Sequence, residues 1–158
     1  MTTAPPLMLF LDRSTQGRRF VQAVKALVQD VQTIDDRYGV QAAEAVPDTL
    51  WISEASADSR ILIGADRYIL RNRLERHAVC LARARYVVFG NNNLSMKAMI
   101  DLFAANLPRI KELNSTSGPW VQRIAQHGMD QLQLNCTDLA NPALLPPGDG
   151  SEDVASPL

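Results

Sequence analysis

Three short apolar runs without polar alternation restrict the folds that this chain can adopt. Residues 7–11 are followed by Asp12, residues 61–63 are followed at a short distance by Asp66, and residues 86–89 lead into a glycine. Strands of a parallel sheet that is covered on both faces have this pattern, whereas half-exposed strands alternate between apolar and polar residues. The runs therefore predict a central parallel sheet whose strands end at acids or turn residues.

Helical patterns separate these runs. Residues 18–29 place an apolar stripe along one face, and a second helix is expected to begin at Asp48, which follows a proline and can accept from free backbone N–H groups. Residues 68–84 predict a third helix. Ser95 can cap a longer helix, in which Pro108 predicts a kink or a local break.

The remaining segments carry weaker signals. Residues 31–34 indicate a strand, the adjacent Asp35 and Asp36 a loop, and residues 40–46 a short helix, while 120–125 and 131–134 indicate the last two strands. The alternation of strands and helices predicts an α/β fold, a three-layer α/β/α sandwich with a mainly parallel central sheet.

Length and charge indicate one domain with distinct ends. The chain has 158 residues, 46% of them hydrophobic, which is enough for a single core. We predict a disordered N-terminus over residues 1–6, one folded domain over 7–135, and an acidic, proline-rich and disordered tail over 136–158. All 16 lysines and arginines precede the tail, which fits either weak affinity for nucleic acid or solvated helix faces.

The cysteines and the hydropathy favour a reducing compartment. Cys80 and Cys136 allow at most one disulfide, and we predict that both are inert small residues rather than metal ligands. The sequence shows neither an export leader nor a run approaching the roughly 20 apolar residues that span a bilayer. We therefore expect a cytoplasmic protein with no membrane association.

Three acids occupy related places in the predicted sheet. Asp12 follows the first strand, Asp66 follows the central strand, and Asp48 begins the helix that leads into that strand. Right-handed crossovers would bring all three to one edge, where crowded carboxylates repel unless a cation neutralises them. Oxygen ligands favour Mg²⁺ or Mn²⁺ over zinc or copper.

These segments resemble the PIN-domain nucleases, especially the VapC-like toxins of bacterial type II toxin–antitoxin systems and the compact PIN-like proteins near them. The similarity lies in residues 10–14 around Asp12, in 46–55 around Asp48, and in 60–66, which end at Asp66. It implies a metal-dependent endoribonuclease that hydrolyses RNA phosphodiester bonds, in which Asp12, Asp48 and Asp66 hold Mg²⁺ or Mn²⁺. It also implies an RNA substrate and a cognate antitoxin protein, and leaves open whether the chain forms a homodimer.

Further roles follow from the same resemblance. Asp36 and Glu44 are the candidates for a secondary acid, and the choice between them stays open. The residues expected to contact RNA or its phosphates adjoin the acids or a strand end: Arg13, Ser14, Arg67 and Asn91.

Two other classes of protein are considered. A receiver-type regulatory domain would need an acid pair after the first strand and a lysine after the last, and neither Asp12-Arg13 nor Gln126-His127 provides them. A catalytically inactive PIN-like scaffold that binds RNA or a protein partner is the stronger alternative, because the fourth acid is not identified.

Overall fold

A six-stranded sheet organises the computed structural model, which describes residues 5–66, 69–91 and 93–136. In spatial order the strands are β2-β1-β3-β4-β5-β6; the first five are mutually parallel and the last is antiparallel. The strands are β1 (Met8–Leu11), β2 (Asp30–Thr33), β3 (Ile61–Gly64), β4 (Arg85–Phe89), β5 (Trp120–Ala125) and β6 (Gly128–Leu132). The prediction of a mainly parallel α/β sheet is confirmed.

Helices connect the parallel strands. They are α1 (Arg18–Leu27), α2 (Ile34–Tyr38), α3 (Val40–Ala43), α4 (Asp48–Ala57), α5 (Arg73–Ala82) and α6 (Met96–Leu113), with a 3₁₀ turn at Ile69–Arg71. None of the described helices is both long enough and apolar enough to cross a bilayer.

Each face of the sheet is covered by its own hydrophobic core. Side chains alternate across a strand, so Leu9 and Leu11 of β1 pack with α1 and α6 while Phe10 packs on the opposite face with α4 and α5. On that second face the Phe10 ring stacks on Trp51, with 5.4 Å between the ring centroids. This two-sided burial explains why β1 and β3 are apolar throughout.

The predicted loop at Asp35 and Asp36 is wrong, and so is the predicted break of helix α6 at Pro108. Asp35 and Asp36 belong to helix α2 rather than to a loop, because the Thr33 hydroxyl accepts from the Asp36 amide while the Asp36 carboxylate accepts from the Thr33 amide. Helix α6 runs unbroken through Pro108. The carbonyl that loses its donor there belongs to the exposed Ala104, where water can replace the missing bond.

The cysteines are not separate inert residues. Cys80 on α5 and Cys136 after β6 form a disulfide with a Cα–Cα distance of 5.7 Å. They lie 56 residues apart in sequence, and the return of the chain through β6 brings the second cysteine back beside α5. Residues 1–4 and 137–158, which hold most of the predicted disordered ends, lie outside the described residues.

Candidate functional site

Asp12 lies directly after β1, at the carboxyl edge of the sheet, and is almost completely buried. Its amide donates to the Ile63 carbonyl at 3.1 Å, which continues the pairing of β1 with β3 past the end of the strand. The Ser14 amide and hydroxyl both donate to Asp12 Oδ1, and the Tyr86 hydroxyl donates to Oδ2 at 3.0 Å. The carboxylate is therefore held in one orientation by neutral donors on β4 and on the turn after β1.

The electrostatic environment of Asp12 disfavours its negative charge. Burial raises the pKa of Asp12, and the hydrogen bonds from Ser14, Tyr86 and Thr15 only partly oppose this effect. The pKa of Tyr86 is raised well above its ordinary value by burial and then by the neighbouring carboxylates, first that of Asp12. The Tyr86 hydroxyl therefore keeps its proton and remains a hydrogen-bond donor to Asp12.

Gly64 at the end of β3 makes room for this arrangement. A Cβ atom at this position would lie 2.5 Å from Asp12 Oδ2 and 2.8 Å from the Tyr86 hydroxyl oxygen. Both separations are shorter than ordinary contacts to a methyl group. The close approach of β3 to the Asp12 carboxylate thus requires glycine, and the sequence Ile63-Gly64-Ala65 supplies it.

Asp48 is the first residue of α4 and is fixed by two donors to the same oxygen. Arg13 Nη1 and Trp51 Nε1 each donate to Asp48 Oδ1 at 2.9 Å. The Arg13 guanidinium also donates to the carbonyls of Ala43 and Val46, which lie in the segment before α4. In the described structure Arg13 therefore orients Asp48, and its predicted contact with RNA phosphate stays a prediction.

Glu75, which the sequence analysis missed, shares this neighbourhood. It lies in the first turn of α5, a helix that packs against α4, and Asp48 is the carboxylate that acts on it most strongly. Burial first, and then the charges of Asp48, Asp66 and Asp12, together raise the pKa of Glu75 from 4.5 to about 7. The charges of all three predicted acids therefore act on Glu75.

Sequence analysis did not identify Glu75 as a site residue because its spacing from Asn72 is typical of a helix cap. Asn72 and Glu75 are spaced like the two members of a helix N-terminal capping box, and the Asn72 side chain does accept from the Glu75 amide at 3.0 Å. The sequence alone therefore suggests a helix start rather than a site. Glu75 is an acid in the first turn of the α-helix that follows the strand ending near Asp66. This position is the feature of the sequence that could have identified it.

The other predicted residues occupy varied places. Asp66 is exposed beyond β3, and its carbonyl accepts from the Ile69 amide. The Ser14 hydroxyl, besides donating to Asp12, accepts from the Ala65 amide at 2.9 Å, so it links the ends of β1 and β3. Asn91 is exposed, and its side chain accepts from the Asn93 amide. Arg67 lies outside the described residues.

Neither candidate for the secondary acid is directed to this cluster. Asp36 is held in the capping box of α2 by its bond with the Thr33 amide at 2.9 Å. Glu44 is exposed at the end of α3. Neither residue is among the groups whose charges act on Glu75.

The comparisons with known proteins identify the family. A sequence model of the family described as "PIN like domain" matches residues 8–91, which is more than half of the chain. The chain therefore belongs to the PIN-like domain family. PIN domains are generally nucleases and commonly use Mg²⁺ or Mn²⁺. No curated protein matches the chain, and no solved structure matches it.

The donor set suits a hard divalent ion, although the side chains are not drawn together around one. Within residues 5–66, 69–91 and 93–136, no three acidic, histidine or cysteine side chains are arranged to hold a metal ion. The groups that act on Glu75 are nevertheless carboxylates, and their charges, after burial, raise its pKa. Carboxylate oxygens are donors that Mg²⁺ and Mn²⁺ prefer, so the residue types fit the metal that the family uses.

Proposed function

We propose that this PIN-like protein is a Mg²⁺- or Mn²⁺-dependent endoribonuclease. The observation that supports it best is the crowding of carboxylates at the carboxyl edge of a parallel sheet, where Asp12, Asp48 and Asp66 all act on Glu75. Open α/β sheets place their ligands at this edge. An ion bound there would offset the mutual repulsion of these carboxylates.

In this proposal Asp12, Asp48 and Asp66 hold the ion and the rest of the edge positions them. When bound, such an ion activates a water for in-line attack and offsets the charge that develops on the phosphate. Asp12 is kept in place by Ser14 and Tyr86, and Asp48 by Arg13. The exact placement of the carboxylates relative to each other is then set by hydrogen bonds rather than by the ion alone.

Exposed polar groups around the edge are proposed to contact the RNA. Asn91 at the end of β4 is exposed, the side chain of Arg13 is 42% exposed, and both follow strands that end at this edge. Ser14 and Arg67 complete the proposed set on sequence grounds. The phosphate backbone would be recognised by the guanidinium groups and single-stranded bases by the amides.

The test is RNA cleavage by the purified protein in Mg²⁺ or Mn²⁺. We expect cleavage that EDTA abolishes and that falls by roughly 100-fold or more in Asp12→Asn and in Asp66→Asn. Asp101→Asn is the matched control, because Asp101 is an exposed acid of α6 that pairs with Lys97. Circular dichroism and melting curves check that each variant is folded. Metal-independent cleavage, or full activity in folded Asp12→Asn protein, contradicts the proposal.

We further propose that the protein is the toxin of a toxin–antitoxin pair. The support is the similarity of residues 10–14 and 60–66 to VapC-like toxins. Expression of the wild-type chain is expected to arrest bacterial growth, whereas Asp12→Asn is expected to permit growth at equal protein levels. Co-expression of a small neighbouring open reading frame should restore growth if it encodes the antitoxin.

A catalytically inactive scaffold is the second candidate, and one observation favours it. Asp48 Oδ1 is already occupied by Arg13 and Trp51, so one of the acids is partly neutralised without any metal. Such a scaffold would bind RNA or a protein partner. It predicts RNA binding that EDTA does not alter and no cleavage in Mn²⁺, which is the opposite of the result expected for the nuclease.

A further inference from the structure

Helix α5 presents an apolar stripe to solvent. Leu74, Ala78 and Leu81 stand at positions i, i+4 and i+7, so they share one face of the helix. Leu74 is 56% exposed and Leu81 is 72% exposed, whereas Val79 of the same helix is fully buried. Apolar side chains at this spacing are the anchors through which a helix face binds an apolar partner. We call Leu74, Ala78 and Leu81 the α5 stripe.

The chain itself returns to this helix after β6. Leu134 packs against the same hydrophobic core as Ala82 of α5, and Cys136 is bonded to Cys80 of α5. Cys80 directly precedes Leu81, so residues 137–158 continue from a point that is fixed beside the α5 stripe. A covalent tether of this kind gives the attached segment a high effective concentration at the helix.

Residues 137–158 suit α5 both in apolar content and in charge. They contain four leucines and four acids, and neither lysine nor arginine. Helix α5 and its C-terminal cap carry three arginines, Arg73, Arg76 and Arg83, against the single acid Glu75. An extended chain covers about 3.3 Å per residue and a helix rises about 1.5 Å per residue, so residues 137–145 are long enough to pass the whole of α5.

We propose that the α5 stripe is the docking site of the chain's own C-terminal segment, residues 137–158. Leu144 and Leu145 contact Leu74 and Leu81 and remove them from water, while the acids of the segment lie near the arginines of α5. The disulfide then serves as the anchor of an interface within one chain. This interface does not depend on the proposed nuclease activity, and it orders part of a segment whose composition alone predicts disorder.

The accessibility of methyl groups to a soluble paramagnetic agent tests this proposal. NMR spectra are recorded on the full chain with isotope-labelled leucine and valine methyl groups. Val40 on α3 is the internal control, because it is 68% exposed, between the values of Leu74 and Leu81. We expect the agent to relax the methyl groups of Leu74 and Leu81 several-fold less than those of Val40, and this protection should not change on dilution.

Two full-length variants identify the occupant. In the double variant Leu144→Ser, Leu145→Ser, relaxation of Leu74 and Leu81 should rise to the level of Val40. Leu158→Ser, which changes a leucine of the same segment outside the proposed contact, should leave their protection as in the wild type.

Three results would overturn the proposal. Leu74 and Leu81 of the wild type are relaxed as strongly as Val40, or their protection persists in the double variant, or it is lost on dilution. The last result would identify a second copy of the chain as the occupant of the α5 stripe. Nuclear Overhauser effects between the methyl groups of Leu144 or Leu145 and those of Leu74 or Leu81, unchanged on dilution, would support the proposal directly.

Discussion

The charged residues at the two ends of the parallel strands have different bonding partners. At the amino end, Arg60 donates to the Leu9 carbonyl and to Asp30, each within about 3.0 Å. Arg85 at the same end donates to the carbonyls of Asn114 and Ser59. Cations at this end are therefore matched with carbonyl oxygens and a carboxylate of the same chain.

The carboxyl end groups several acids. Asp12 is buried among neutral donors, and Glu75 is beside Asp48 and near Asp66. In this group, Arg13 bonds to Asp48. The amino end thus joins its cations to groups of the same chain, whereas the carboxyl end brings several acids close enough for their charges, after burial, to raise the pKa of Glu75.

The largest expected effect is stabilisation by a divalent ion at the carboxyl end. An ion that binds only the folded protein at 100 times its dissociation constant adds about 2.7 kcal/mol, which raises the melting temperature by roughly 8 °C. A titration with Mn²⁺ followed by differential scanning fluorimetry measures this shift. Asp12→Asn serves as the control and should show little of it. A melting temperature that does not change across the titration would argue strongly against a cation site.

A somewhat smaller effect is expected from Gly64→Ala at the same end. The added methyl group would overlap Asp12 Oδ2 and the Tyr86 hydroxyl, so β3 or the carboxylate must shift, at a cost of about 2 kcal/mol in the free energy of unfolding. Urea denaturation measures this loss. Gly17→Ala is the matched control, since its Cβ would meet only Met96 Cε at 3.4 Å. Equal stability of the two variants would show that Asp12 is not tightly packed.

At the amino end, Arg60→Met should weaken the fold without affecting the site. The substitution keeps most of the apolar stem but removes the bonds to Leu9 and Asp30, and we expect a loss of about 1.5 kcal/mol. Arg109→Met is the control, because Arg109 lies 3.9 Å from Glu112 on an exposed helix face and should matter little. Mn²⁺ affinity should be unchanged in both. A change of Mn²⁺ affinity in Arg60→Met would break the distinction between the two ends.

The sequence predicts the parts of this arrangement that depend on local pattern. The apolar runs that end at Asp12 and near Asp66 identify β1 and β3. Strands buried on both faces are apolar throughout, whereas half-exposed strands alternate with polar residues. Pro47 and Asp48 likewise predict the start of α4. The carboxyl edge of the sheet, and the acids placed there, can be deduced from these features alone.

The parts that depend on packing could not be predicted. Glu75 belongs to the cluster only because α5 lies against α4, and its spacing from Asn72 suggests a cap. The pairing of Cys80 with Cys136 requires the antiparallel return of β6. Both contacts are between residues that are distant in sequence. No local pattern in the sequence predicts such contacts.

The effect of pH is also expected to differ between the two ends. In the folded protein the pKa of Glu75 is raised from 4.5 to about 7, and that of Asp12 is also raised, so the folded state binds more protons than the unfolded state in this range. The stability of metal-free protein should therefore be greatest below pH 4.5 and decrease as the pH rises towards 7. At the amino end, Arg37 lowers the pKa of Asp58, so the stability from that pair is present above pH 3.8 and is lost only at lower pH.

Urea denaturation in EDTA at pH 5 and pH 7.5 measures the decrease, and Glu75→Gln should reduce it while Glu44→Gln leaves it unchanged. A wild-type protein whose stability rises between these two pH values would show that the acids at the carboxyl end are already compensated within the chain.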